Sequence, residues 1–195
     1  MRSEGDEKGE RYSSGGIVSG VTGLVAIVAV LAYGVLDDGA DLASWVYPGL
    51  LLAAALIWAV LLRPAVVLHP EELELRNVFH SRWIPYGRID SLAIDQVTRV
   101  EVDERRYVGS GFGRARLAIN RDAQAGPNAP SDRRSLGWLV EEKIRRRMSS
   151  ERTALPTGSR AAIGEPAPVR RTWAVPEVAV VSVLAVVTLV LALLG

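Results

Sequence analysis

A glycine-rich segment is the first place in this sequence where residue types and spacing suggest chemistry. Gly109, Gly111 and Gly113 alternate with other residues and are followed by Arg114. A phosphate-binding loop needs a strand before it, a helix N-terminus after it and a Gly-Lys-Ser/Thr sequence. That tripeptide is absent, and the residues after Arg114 are predicted to form a strand. We therefore interpret the segment as a flexible hairpin loop.

The histidines and carboxylates suggest neither a catalytic nor a metal-binding set. His69 and His80 lie in predicted turns, without a third ligand or a nucleophile in the pattern. The carboxylates of the middle region are interleaved with arginines, which is typical of a solvated, charge-paired sheet face. They are Asp90, Asp95, Glu101, Asp103 and Glu104. With no cysteine nucleophile or thiolate site in the chain, we predict no enzymatic activity, cofactor or metal.

Three long apolar runs indicate where the chain could be held in a membrane. Residues 16–36, 42–62 and 173–194 each hold about 20 residues with almost no charge, enough for a helix to cross a hydrocarbon core roughly 30 Å thick. A cleaved signal peptide is the alternative for the first run, but this run is too long and a second follows it closely. The sequence therefore predicts a membrane protein with an N-terminal two-helix hairpin, residues 16–63, and a C-terminal transmembrane helix, residues 173–195.

The charges that flank these runs predict the topology. Short loops rich in Lys and Arg stay in the cytoplasm. Bases precede the first run, follow the second and precede the third, whereas the turn between the first two runs carries only acids. The bases are Arg2, Lys8, Arg11, Arg63, Arg170 and Arg171. We expect a multi-pass protein of the cell membrane whose N-terminus and polar insert are cytoplasmic and whose C-terminus is outside.

Two features within the apolar runs each allow two interpretations. Gly16, Gly20 and Gly23 lie on nearly one helix face, which lets another helix approach closely, although glycine is also simply common in membrane helices. Glu177 near the start of the third run is either a dipole partner or snorkelling group, which we favour, or a buried proton carrier.

The insert is patterned as a folded domain over residues 64–150. Short alternating segments predict about six strands of an antiparallel sheet that curls on itself. Leu73 and Leu75 belong to one such strand, Trp83 is a candidate core residue of another, and the last strand is predicted around Leu117 and Ile119. Charged residues 1–15 predict a disordered tail, and the proline-containing residues 151–172 predict a flexible linker.

An amphipathic helix is predicted after a loop at residues 120–132. Apolar residues recur at intervals of three and four, with charged residues between them. Those apolar residues are Leu136, Leu139, Val140, Ile144 and Met148. Asp132 or Ser135 is the expected N-cap.

The sequences at residues 63–68, 72–77 and 82–89 resemble the opening of bacterial PH-like domains that follow a pair of N-terminal spans in actinobacterial membrane proteins. In that family an aromatic residue follows a proline and a hydrophobic residue comes three positions later; here these are Tyr86 and Ile89. The resemblance covers about residues 63 to 120. It implies an α+β fold in which a small curled antiparallel sheet is closed by a C-terminal amphipathic helix. It also implies a membrane-proximal binding or assembly module, to which this chain adds a third span.

Five basic residues near the ends of the predicted helix are the candidate lipid contacts. Arg133 and Arg134 lie at its start, and Arg145, Arg146 and Arg147 lie toward its end. A tethered domain could lay this edge on the anionic inner leaflet, at about 1 kcal/mol per basic side chain. The alternative is that these charges form the helix's solvated face. Nucleic acid is not an expected partner, because no basic groove with interleaved aromatics is present.

Two functions are compatible with these patterns. In the first, the chain is a membrane-anchored scaffold or interaction module whose PH-like domain binds a protein partner, a second copy of itself or anionic lipid. In the second, it is a regulatory accessory subunit of a transporter or cell-envelope enzyme complex, and the spans make the contact.

Overall fold

The computed structural model describes residues 9–13, 16–36, 42–126, 130–154 and 167–194. The chain is α+β and divides into two compact units. We call Met1–Ser14 with Pro64–Thr172 the β unit, and Gly15–Arg63 with Trp173–Gly195 the helical unit. Antiparallel sheets characterise the first unit, and apolar helices make up the second.

The elements alternate between the two units along the chain. In order they are β1 (Glu10–Tyr12), α1 (Gly16–Leu36), α2 (Val46–Ile57), a π-helical turn (Trp58–Leu62), β2 (Ala65–Leu68), β3 (Glu72–Arg76), β4 (His80–Pro85), a 3₁₀ turn (Tyr86–Arg88), β5 (Ser91–Ile94), β6 (Thr98–Val102), β7 (Arg105–Gly109), α3 (Arg116–Gln124), a 3₁₀ turn (Ser131–Arg133), α4 (Leu136–Ala154), β8 (Arg170–Trp173) and α5 (Val175–Leu194).

The helical unit contains two helices that are long and apolar enough to cross a membrane, α1 and α5. The second predicted run is shorter than expected, since its helix begins at Val46 and ends with the π-helical turn at Leu62. Residues 44 and 45 form a turn instead. Pro48 lies in the first turn of α2, where its missing N–H leaves no helical hydrogen bond unmade.

Small residues allow α1 and α2 to pack closely. A Cβ atom on Gly20 would lie 2.8 Å from Leu62 Cδ2, and one on Gly23 would lie 2.9 Å from Ile57 Cδ1. At the other end of this pair, the Tyr47 hydroxyl donates a hydrogen bond to the Gly34 carbonyl at 3.0 Å. The glycine face of α1 therefore serves packing within the chain, the first of its two interpretations.

The β unit encloses one apolar core between two sheets and α4. The larger sheet has the order β1-β2-β3-β4-β8, and the smaller has the order β5-β6-β7. In the antiparallel registers Leu73 lies opposite Ile84, and Leu92 lies opposite Val100. From α4, the core receives Val140, Ile144 and Met148, as the three and four residue spacing predicts.

The two edges of the larger sheet come from segments predicted to be unstructured. Residues 10–12 pair with β2 as strand β1, so the prediction of a tail without structure is wrong there. Residues 170–173 form β8 beside β4, and α4 continues to residue 154, which shortens the predicted linker from both ends. Residues 1–8, 14, 15 and 155–166 of these predicted segments lie outside the described residues.

The segment after β6 also differs from the prediction. Strand β7, Arg105–Gly109, takes in Gly109 of the predicted loop, and Arg116–Gln124 is helix α3 rather than a strand. The alternation around Leu117 was misleading, because that side chain is 83% exposed and packs in no core. Strong helix formers among its neighbours, including alanine, arginine and glutamine, favour a helix instead.

The core aromatic residues include Tyr86 and Phe112 but not Trp83, which was the predicted one. Tyr86 and Ile89 are both fully buried. The Trp83 indole is only half-buried, and its Nε1 donates to Thr172 Oγ1 of β8 at 3.3 Å. Trp83 thus holds an edge strand of the larger sheet.

Candidate functional site

A buried polar network fixes the start of α4. Ser135 is the N-cap, since its hydroxyl accepts a hydrogen bond from the Trp138 amide at 3.3 Å. The Ser135 amide in turn donates to Asp122 Oδ1 of α3 at 2.8 Å, and its hydroxyl donates to Asp122 Oδ2. Arg114 bridges Asp122 Oδ2, at 3.3 Å, and Glu141 of α4. The helix that sequence analysis missed, α3, therefore anchors the helix that it found.

This network determines the charge state of Asp122. Burial alone would raise the pKa of Asp122, but hydrogen bonds from the Ser135 hydroxyl and amide and the Arg114 guanidinium hold it below its ordinary value. Asp122 is therefore ionised at neutral pH. A carboxylate is a stronger hydrogen-bond acceptor for Ser135 and Arg114 than the neutral acid would be.

Strand β1 is attached to the middle of α4 by charge. Lys143 Nζ donates to both carboxylate oxygens of Glu10 at 2.6 Å, and Arg147 lies 3.6 Å from Glu10 Oε1. The Lys143 hydrogen bond is the main reason that the pKa of Glu10 lies below its ordinary value. Burial, with the hydrogen bond that its hydroxyl donates to Glu10, raises the pKa of Tyr12 to about 12.

The five basic residues predicted to share one edge do different things. Arg134 is buried, and its guanidinium donates to the carbonyls of Asp122, at 2.9 Å, and Gly126. Arg147 donates to the His69 carbonyl at 2.6 Å and to the Tyr86 hydroxyl at 3.3 Å.

The remaining three of these residues are more exposed. Arg145 donates to the Leu92 carbonyl at 3.1 Å and to Glu141 at 2.7 Å. Arg146, 78% exposed, pairs with Glu142 at 3.0 Å, and Arg133 is also exposed. Successive residues of an α-helix point about 100° apart, so helical geometry already indicates that residues 145–147 cannot share one face.

The outward side of α4 carries a groove that the sequence did not predict. It has a volume of about 460 Å³ and contains apolar Trp138 and Leu139 beside charged Glu142, Lys143 and Arg146. The Arg134 guanidinium carbon lies 4.6 Å from the centre of the Trp138 ring and so supports the indole. The signal was available in the apolar pattern, because Leu139 was assigned to the core stripe but is 37% exposed.

The histidines and the carboxylate beside one of them make contacts within the fold. His69 Nε2 lies 3.2 Å from Glu74 Oε2, and His80 begins β4 rather than lying in a turn. Although burial raises the pKa of Glu74, hydrogen bonds from Arg76 and His69 hold it below its ordinary value. Within the described residues, no group of three or more His, Asp or Glu side chains could hold a metal ion.

The glycine-rich segment packs tightly against two other backbone segments instead of forming a flexible loop. A Cβ atom on Gly111 would collide with the backbone of Pro64 and Ala65, and one on Gly113 would collide with that of Gln96. Strand β7 precedes the segment and helix α3 begins at Arg116, so the predicted strand after it is wrong, but the Gly-Lys-Ser/Thr sequence of a phosphate-binding loop is absent. The glycines therefore permit close approach of two chain segments.

The exposed groove on α4 thus has features of a binding site, namely apolar side chains framed by charges. Relatives offer no further guidance to its ligand. Comparison with protein-family models, curated proteins and solved structures finds no match for this chain.

Proposed function

We propose that this chain is a membrane-anchored PH-like interaction module that binds a protein partner in the groove on α4. The observation that carries the proposal is the second apolar side of this helix. Val140 and Ile144 fill the core, yet Leu136 and Leu139 remain 58% and 37% exposed on the same helix. Apolar residues with a charged rim are typical of surfaces that bind proteins.

The order of elements supports a PH-like β unit. Three strands of the larger sheet, β2 to β4, follow one another as a meander, and so do β5 to β7 of the smaller sheet. Helix α4 then closes the core between them. Helix α3 is an addition to the order that the family resemblance implies.

The chain connections support a membrane anchor for this module. Only residues 13–15 separate β1 from α1, only Arg63 and Pro64 separate the π-helical turn from β2, and only Ala174 separates β8 from α5. Three apolar helices would therefore hold the β unit within a few residues of a bilayer. The bases beside these helices favour a cytoplasmic β unit with the C-terminus outside.

Anionic lipid is a weaker ligand candidate than protein. Three of the five basic residues, Arg134, Arg145 and Arg147, donate to backbone carbonyls inside the β unit, and Arg145 and Arg146 each pair with a glutamate. These contacts reduce the positive charge that α4 can present to a membrane surface.

Photocrosslinking in native membranes tests the proposal. A photoreactive residue replaces Leu139 in the intact protein, and Val108, an exposed apolar residue of β7, is the matched control site. We expect a protein adduct at position 139 and none at 108. The substitution Leu136→Asp beside the groove should reduce the yield at least several-fold, by adding a charge where an apolar partner docks.

The identity of the adducts separates the alternatives. A protein adduct of the chain's own mass would make a second copy the partner, which keeps an interaction module. Lipid adducts alone at position 139, or equal yields at both positions, would contradict the proposal. A protein adduct obtained only from α5, for example at Val183, would favour the accessory-subunit alternative instead.

A further inference from the structure

A cleft in the helical unit has the features of a lipid-binding site. It lies between the end of α2, with its π-helical turn, and the start of α5, and has a volume of about 340 Å³. Ala55, Ala59, Val180 and Val181 give it apolar walls, and Glu177 of the first turn of α5 also lines it. This volume falls within the range of small-molecule sites in proteins.

One oxygen of Glu177 lacks a hydrogen bond. Its Oε1 accepts from Arg63 Nε at 3.2 Å, and the two side chains are only 21% and 12% exposed. Its Oε2 is buried and has no hydrogen-bond partner within the described part of the chain. A buried carboxylate oxygen without a donor is costly, so this atom points to a ligand that donates a hydrogen bond.

The π-helical turn shapes this site. The Arg63 amide donates to the Trp58 carbonyl at 2.8 Å, five residues back, so this turn is wider than an α-helical one. The wide turn contains Trp58 and Ala59 of the cleft wall, and Arg63 follows directly after it. Such turns occur frequently at functional sites.

We propose that this cleft binds a phospholipid with a primary ammonium headgroup. The Glu177 side chain, which lines the cleft, turns its buried Oε2 toward the cleft to accept from the ammonium group. The lipid phosphate faces the Arg63 guanidinium, and part of one acyl chain fills the apolar cleft. The paired charges of Glu177 and Arg63 complement the two charges of such a headgroup.

A lipid is the favoured occupant because the cleft opens at the surface of the helical unit. Of the residues that line it, Trp58 is 43% exposed and Val180 is 53% exposed. In a bilayer, acyl chains surround such a surface and need no partner protein to reach it. The inference therefore depends on the membrane insertion that is part of the proposed function.

Lipid titration of the full-length chain tests the site. The protein, purified in detergent, is titrated with phosphatidylethanolamine and with phosphatidylcholine of identical acyl chains, and bound lipid is counted by native mass spectrometry. The choline headgroup has the same phosphate and charge but no N–H donor. We expect about tenfold tighter binding of phosphatidylethanolamine, the size of one charge-assisted hydrogen bond.

Two variants separate the headgroup contact from the apolar cleft. Glu177→Gln should bring the ratio of the two affinities close to one. Ala55→Leu should weaken binding of both lipids by filling the cleft, whereas Val186→Leu, at an exposed position of α5, should change neither. Circular dichroism of each variant shows whether the helices remain folded, and Ala55→Leu keeps the test decisive if Glu177→Gln unfolds.

Failure of this inference is distinguishable from failure of membrane insertion. If the wild-type chain remains in carbonate-washed membranes but binds both lipids equally, the lipid site is wrong and the anchored module stands. If carbonate extracts the chain, both are wrong. A dimer that Ala55→Leu dissociates, without a lipid preference, would assign the cleft to a second copy and overturn the lipid site.

Discussion

The β unit and the helical unit use the same kinds of apolar side chain in opposite ways. Leu75 and Ile84 of the β unit are completely buried. Val183 and Val186 of α5 are 61% and 60% exposed, in a helix with no charged residue beyond its first turn. The first arrangement stabilises a fold in water, whereas the second is stable only where the surroundings are themselves apolar.

The two units also differ in how completely their buried ionised groups are hydrogen-bonded. In the β unit the buried Asp122 accepts from several donors, and Arg134 donates to two carbonyls. In the helical unit Glu177 keeps one buried oxygen without a donor among the described residues. Among the described residues Arg134 Nε also has no partner, but this guanidinium still makes two hydrogen bonds within the β unit, whereas Glu177 accepts from Arg63 alone and leaves an acceptor oxygen unused.

Removing the central ring of the β unit should have the largest effect. Tyr86→Ala should lower the free energy of unfolding of this unit by about 3 to 5 kcal/mol, because a fully buried aromatic side chain is lost. Pulse proteolysis of the intact, detergent-solubilised protein in urea measures this loss.

Tyr86→Phe is the matched control for the ring. It keeps the ring but removes the hydroxyl that donates to the His69 carbonyl at 3.1 Å, so the loss should be only about 0.5 to 1.5 kcal/mol. Equal losses in the two variants would show that the hydroxyl, rather than apolar burial, stabilises the β unit.

Replacing an exposed apolar residue by lysine should have different effects in the two units. Val183→Lys places a charge near the middle of α5, where insertion into a bilayer costs about 2.5 to 3.5 kcal/mol more. Val108→Lys, at an exposed position of β7, should change the free energy of unfolding by less than about 0.5 kcal/mol. A topology reporter fused to the C-terminus measures insertion of α5, because α1 and α2 would retain the chain in membranes even if α5 did not insert, and urea-dependent proteolysis measures stability for β7. An unchanged reporter signal in Val183→Lys would remove the basis of the comparison.

Periodicity was sufficient for elements whose own residues form the core. Helix α4 follows from the spacing of Val140, Ile144 and Met148, and the strands follow from alternation such as that of Leu73 and Leu75. The short edge strands β1 and β8 have no such signal, because they consist mainly of polar residues. Their conformation comes from pairing with β2 and β4, which lie far away in sequence.

The candidate site was harder to predict than the fold. Sequence identifies Arg134 and Arg147 as basic, but only the fold brings them to the carbonyls of Asp122 and His69. The role of Asp122 depends on α3, whose misleading alternation predicted a strand. The sequence pattern therefore identifies which residues near α4 are charged, whereas tertiary contacts determine which of these charges face outward.

A smaller effect than those of Tyr86→Ala and Val183→Lys tests whether the β unit depends on its internal ion network. Asp122→Asn should lower the free energy of unfolding at neutral pH by about 1 to 3 kcal/mol, because Ser135 and Arg114 lose a charged acceptor. Asp95→Asn is the matched control, since its partner Arg99 is 47% exposed, and it should cost less than about 1 kcal/mol.

Acid titration sharpens this test, because the pKa of Asp122 in the folded protein is lower than its ordinary value of 3.8. The unfolded chain then binds the proton more tightly, so the stability that Asp122 supplies is complete above pH 3.8 and is lost as the pH falls through the lowered pKa. Asp122→Asn has no proton to bind, so its difference from the wild type should shrink below that pH. Glu10 and Glu74, whose pKa values are also lowered, remain in both proteins and keep part of the acid transition. A difference that stays constant from pH 7 to about pH 2 would mean that the shape of Asp122, rather than its charge, connects α3 to α4.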